Sequence, residues 1–303
     1  MGELYSQYEY WIAAAQLLLA MLGMGATLRV RDFAEVARAP WPITVGCLLQ
    51  MIGVPLIAWL FLAVLSLEPG VAIGLALCAA IPGGTLSNVF TFLGRGHVAL
   101  SIALTGVTTL ACLITTPIVL GFLISQHMPA DFVMPAGQIA REITLILLLP
   151  LVLGMCILSW LPAIAPRFSK YCIRGSLFFI LVIIVGATAS GRVDIPAFGA
   201  YNLAVVVAFL TLLASASFVL PRLGGLVNRD TTAINIEVTV RNGNLGLLIK
   251  ASMFPAVVGA TDPIGDAILF TVLIYGGLAL LVGLGQVYLH RWLNRDTPLS
   301  YPA

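Results

Sequence analysis

GVAIGLALCAAIPGGTLSNVFTFLGRG, residues 70–96, has the length and apolarity of a bilayer crossing and carries Pro-Gly-Gly at its centre. A membrane helix needs about 20 predominantly apolar residues, which this segment supplies. Pro82, however, removes a backbone N–H and disfavours helix at Ile81, and Gly83 and Gly84 add two residues of poor helix propensity. The helix is therefore predicted to break in mid-membrane, with Thr85, Ser87 and Asn88 suited to capping a new one. Irregular backbone at that depth persists only inside protein or along a cavity, because lipid offers the freed carbonyls and N–H groups no partner.

The rest of the chain fits this reading. Of its 303 residues, 60% are hydrophobic and 9% charged, against roughly 45–50% and 25% in a soluble domain. Long apolar runs without ten-residue alternation predict an all-α polytopic membrane protein and exclude an outer-membrane barrel. Nine transmembrane helices are predicted, near 5–28, 43–66, 71–95, 97–125, 138–161, 171–191, 200–221, 229–256 and 265–291. The first begins without a basic leader region, so it reads as a retained span and not a cleaved signal. Eleven of the fifteen basic residues, Arg38 among them, fall in the odd-numbered loops and the C-terminal tail. By the positive-inside rule the N-terminus is expected outside and the C-terminus in the cytoplasm of a cell inner (plasma) membrane.

An internal echo points to duplication. Residues 23–37, GMGATLRVRDFAEVA, resemble 185–199, VGATASGRVDIPAFG, and each copy precedes a glycine-interrupted span by the same interval. Five intervening spans turn the second copy upside down, giving inverted repeats over 1–130 (spans 1–4) and 131–303 (spans 5–9) with two discontinuous crossing helices, an arrangement used by secondary transporters. The second break lies in NIEVTVRNGN, residues 235–244, where Asn242-Gly243-Asn244 follows Glu237 and Arg241. Ionisable residues in hydrocarbon cost about 2.5–3.5 kcal/mol even on the lenient insertion scale. A simple structural pair between them is one reading, since i and i+4 share a helical face; a functional site is the other. Half-helix N-termini after Gly84 and Gly243 present N–H groups to an anion, while carbonyl-bearing ends attract a cation.

IPGGTLSNVFTFLGRGHVALSIALTGVTTL (81–110) and NIEVTVRNGNLGLLI (235–249) resemble the two signature stretches of the bile acid:sodium symporter family, and the similarity runs in outline from about residue 15 to about residue 290. The resemblance implies a core domain of spans 2–4 and 7–9 and a panel domain of spans 1, 5 and 6. It implies that Ser87, Asn88, Ser101, Thr105 and Glu237 hold a first sodium ion, and that Gln50, Glu237 and the backbone around Val238 and Val240 hold a second. Hydroxyl, amide and carboxylate oxygens suit a hard monovalent cation. At the remaining second-site position the family has glutamine where this chain has Arg241, which has five donors, no acceptor and a permanent charge. Arg241 then either replaces the second sodium as a tethered cation or turns to the cavity to bind the substrate's anionic group. Proton coupling through Glu237 is disfavoured by the neighbouring guanidinium.

Thr85 and Asn242 fall where the resemblance implies substrate contact, with Gly84 and Gly243 beside them. The implied substrates run from bile salts to small keto acids, with a small carboxylate favoured over a bile acid; the last span lacks the His-Asn pair of some bacterial relatives, which removes the pocket contact that pair implies. His97, His127 and His290 fall at span ends, where solvated imidazoles are expected, and Trp11, Trp41, Trp160 and Trp292 read as interfacial anchors. The five cysteines show no metal-ligand spacing and read as core filler. No nucleophile–base constellation or P-loop occurs, and a net charge of +2 implies no nucleic acid partner. The expectation is a sodium-coupled organic anion transporter in the lipid bilayer, a monomer or weak homodimer, working by alternating access. Its alternatives are a sodium-independent uniporter or exchanger, and a passive channel or receptor on the same fold.

Overall fold

The computed structural model describes residues 2–34, 40–128, 132–256 and 262–295, so Arg38, the end of the first echoed stretch and the boundary between the two predicted repeats lie outside the described residues. Apart from short 3-10 turns, the described residues are helical: α1 (Gly2–Gly25), α2 (Pro40–Val64), α3 (Pro69–Ala80), α4 (Thr85–Leu93), α5 (Val98–Ile124), α6 (Ala136–Trp160), α7 (Ala165–Ala189), α8 (Ile195–Leu223), α9 (Asn228–Thr239), α10 (Gly243–Met253) and α11 (Pro263–Leu293). The helices α2 and α6 widen into π turns at Leu49–Gly53 and Ile143–Leu148.

Six helices, α2, α5, α6, α7, α8 and α11, are each long and apolar enough to cross a bilayer, and the protein is a multi-pass membrane protein. Their apolar surface faces outward: Ile114, Ile118 and Phe122 of α5, spaced four apart, are each about two-thirds exposed. Such a stripe would be an aggregation patch in water and is at home in lipid. The segments expected to break do so. With α3 and α9 at 12 residues, α10 at 11 and α4 at 9, each rises no more than about 18 Å at 1.5 Å per residue, which is short of a bilayer core of about 30 Å.

Contacts divide the helices into two groups. The helices α6 and α7 pack on α1, while α3 and α8 pack on α11, α9 on α8, α5 on α3, and α4 against α5, α9 and α11. The breaks sit inside the second group, where α3, α9 and α10 are almost wholly buried.

Candidate functional site

At the first break Ile81 and Gly84 are extended, and at the second Val240 leaves helical geometry. The two irregular segments satisfy one another: the Gly84 N–H donates to the Val240 carbonyl at 2.8 Å, the Asn242 N–H to the Pro82 carbonyl at 2.9 Å, and Gly83 and Arg241 form an antiparallel bridge. This answers the accounting demanded by lipid, since the freed backbone groups pair within the protein. Gly84 caps α4 without side-chain help, contrary to the expected cap from Thr85, Ser87 or Asn88, whereas the Asn242 side chain accepts from the Leu245 N–H at 3.3 Å and caps α10.

Ser87 is not free to cap because its hydroxyl points at Glu237. The Glu237 carboxylate, fully buried, accepts from Thr105 Oγ1 at 2.5 Å, Ser101 Oγ at 3.1 Å and Ser87 Oγ. Asn88 Oδ1 joins the group, accepting from Ser101 at 2.8 Å and Thr105 at 3.4 Å. The structure thus brings together all five residues expected around a first cation, from α4, α5 and α9. Three hydroxyls, an amide carbonyl and a carboxylate give a cluster rich in oxygen with a single formal negative charge, and the hydroxyls can turn their lone pairs to an ion when it arrives.

Close approach here requires glycine. A Cβ on Gly83 would lie 2.0 Å from Glu237 Oε1, and one on Gly84 would lie 2.8 Å from the Arg241 carbonyl oxygen. Gly83→Ala is therefore expected to displace the carboxylate from its three hydroxyl partners while leaving the fold intact. Overpacking costs about 1–3 kcal/mol, so the affinity of these oxygens for a cation should fall roughly tenfold or more, read as a rightward shift of cation-dependent stabilisation in a thermal melt.

Arg241 does not pair with Glu237. Its Nη2 donates to the Ala79 carbonyl at 3.2 Å and to the Ile81 carbonyl, at the C-terminal end of α3, where the helix dipole and the last unpaired carbonyls attract positive charge. Gln50, buried with no partner for either side-chain polar atom, lines the same small cavity of about 10 Å³ with Thr108 and Arg241. Val238 and Val240, expected beside them, are not among the residues lining that space.

On the other side of the crossing lies a cavity of about 220 Å³. Gly84, Thr85, Asn242 and Gly243 all line it, together with Ile180 and Ile184 of α7 and the Gly276–Gly277 pair of α11. Its polar end is formed by the starts of α4 and α10, and its walls are apolar, the combination that holds an organic anion by its charged group.

One further sequence expectation is corrected. His290 is fully buried, with Nδ1 3.0 Å from Thr232 Oγ1 and Nε2 2.8 Å from Asn235 Oδ1, because its face of α11 packs on α9. Lys250 is equally buried and ion-paired with Glu9 at 2.8 Å. The signal for that pair was a carboxylate at the fifth position of the predicted first span, which needs a partner.

The chain matches the model of the sodium bile acid symporter family over residues 14–197. It is 29% identical over 236 residues to the "Uncharacterized sodium-dependent transporter YocS" of Bacillus subtilis, covering 78% of this chain and 72% of that one. It is 29% identical over 286 residues to the "Probable sodium/metabolite cotransporter BASS2, chloroplastic" of rice, covering 92% of this chain and 63% of the relative. The bovine "Sodium-dependent organic anion transporter" is 31% identical over 221 residues, 70% of this chain and 53% of its own length. Family and relatives are transporters and not enzymes.

Proposed function

The chain belongs to the sodium bile acid symporter family, and from that membership we propose that it is a secondary active transporter that carries a small organic anion together with sodium by alternating access. The observation that carries the reading is the convergence of Ser87, Asn88, Ser101 and Thr105 on the buried Glu237 carboxylate. A lone carboxylate buried among neutral donors is costly, and a bound cation removes that cost. Sodium and anion sit on two sides of one crossing, so each stabilises the conformation the other needs.

Nine spans in two inverted repeats, 1–130 and 131–303, account for the broken pairs α3/α4 and α9/α10 as the third and eighth crossings. The packing of α1, α6 and α7 on one another supports a panel against which a core of the remaining helices moves. A plasma-membrane location, with the N-terminus outside and the C-terminus in the cytoplasm, and action as a monomer or weak homodimer complete the proposal. The cavity favours a small carboxylate or keto acid, because about 220 Å³ is tight for a steroid-sized amphipath. Arg241 stands where a second sodium would and holds the Ala79 and Ile81 carbonyls that would otherwise attract it.

Purified protein in liposomes should accumulate labelled pyruvate or a related keto acid above the outside concentration when sodium flows inward, and only equilibrate it when potassium replaces sodium. Equilibration in both salts would identify a passive pathway or a sodium-independent carrier and overturn the proposal.

A further inference from the structure

Four charged side chains cluster where the two groups of helices meet, all but Asp266 with their side chains buried. Lys250, in the last turn of α10, donates to both oxygens of Glu9 on α1, at 2.8 and 3.0 Å. Arg192, in the turn between α7 and α8, lies 3.0 Å from Glu9 Oε1 and also pairs through Nε with Asp266 at the start of α11. Lys250 is fully buried and Asp266 is the wettest member at 24% exposed. Two residues along α10, Ser252 receives a hydrogen bond from Gln138 Nε2 at 2.6 Å and donates to Glu142 Oε1 at 2.5 Å, both on α6.

All of these contacts lie on the face of the molecule where α1 begins, and α10 leads to them from the cavity. Gly243 and Leu247 line the cavity, and Lys250 follows one turn beyond Leu247. The cluster is thus about 10 Å along the helix from the crossing, at 1.5 Å per residue. Its bonds tie α10 to α1 and α6, whereas α7, whose Ile180 and Ile184 form the opposite cavity wall, packs on α1.

Buried ion pairs are a poor way to glue a seam, since well-packed apolar side chains of the same volume often hold it as well or better. They suit a seam that must open. When the groups separate, each charge loses its partner and regains water, so the two effects nearly cancel, whereas an opened apolar seam would expose its whole surface at a cost that nothing offsets. Two acids against two bases also leave the closed seam without net charge.

We propose that Glu9, Arg192, Lys250 and Asp266 form a gate that shuts the cavity from the face on which α1 begins, with the hydrogen bond between Ser252 and Glu142 as its latch. This inference rests on the alternating-access reading, but its test needs neither sodium nor substrate. A cysteine in place of Gly277, where an added Cβ meets nothing within 4 Å, reports access to the cavity when a membrane-impermeant thiol reagent is applied to intact cells and to inverted vesicles in turn. The protein without that cysteine gives the background, and an N-terminal tag marks the relevant side.

Glu9→Gln is expected to raise labelling from the tagged side about tenfold and lower it from the other. Should Glu9→Gln fail to fold, Asp266→Asn at the wetter end decides the matter, with a shift of about threefold in the same direction. Folded Glu9→Gln or Asp266→Asn protein labelled at the parental rate would make the cluster a static joint and overturn the gate. A shift in labelling without any sodium-driven accumulation would leave the gate standing and remove only the transport reading.

Discussion

Glutamine in place of Glu237 is expected to abolish the sodium-specific rise in melting temperature and to reduce uptake to its sodium-free level. Any ligand that binds only the folded state stabilises it by RT ln(1 + [L]/Kd), about 2.7 kcal/mol at a hundredfold excess over Kd. The parent protein should therefore melt several degrees higher in saturating sodium than in potassium at equal ionic strength. The substitution keeps the shape of the side chain and one acceptor for Ser87, Ser101 and Thr105, but removes the one formal charge in the cluster. In potassium the variant should melt at or above the parent, because a buried carboxylate without a cation is costly and a buried amide with partners is not. General damage would lower both curves; loss of the ion site lowers only the sodium curve. A sodium increment that survives Glu237→Gln places the ion elsewhere.

Much of this site was legible in the chain, for reasons that differ between its parts. Pro82-Gly83-Gly84 and Asn242-Gly243 announce their breaks through local backbone chemistry, and both helices stop there. The convergence of these oxygen-bearing side chains was legible only through resemblance, since nothing in the spacing of Ser87, Ser101 and Glu237 says that α4, α5 and α9 converge. What stayed hidden was set by direction. Whether Arg241 faces Glu237, the cavity or the end of α3 depends on backbone beyond the last helical residue, Thr239, where 3.6-residue periodicity no longer orients a side chain. The Glu9–Lys250 pair is separated by most of the sequence, so no local spacing announces it. His290 was missed because a position near a span end does not say which face of α11 packs on α9.

Arg241→Gln should convert the proposed single-sodium carrier into a two-sodium one. In the parent, the guanidinium occupies the carbonyls of Ala79 and Ile81 beside Gln50, whose amide has no partner of its own. The substitution withdraws a permanent cation and adds an amide oxygen, leaving two main-chain carbonyls and two amide oxygens around one small space, a donor set suited to a hard cation and lacking only charge, which Glu237 supplies nearby. A tethered cation travels in both directions with the carrier, so it moves no net charge per cycle. An ion that binds, crosses and leaves does. One sodium with a monocarboxylate is electroneutral, whereas two sodium ions with the same anion move one positive charge, worth about 2.3 kcal/mol per 100 mV. Uptake by the parent should thus depend on sodium with a Hill coefficient of about 1 and ignore an imposed potential, while Arg241→Gln should approach about 2 and accelerate when the inside is negative. Those two readouts move together only if a second ion is carried. If the variant instead loses affinity for the carboxylate with its sodium dependence unchanged, the guanidinium serves the anion, and its contact with the end of α3 is a resting position from which it reaches the substrate.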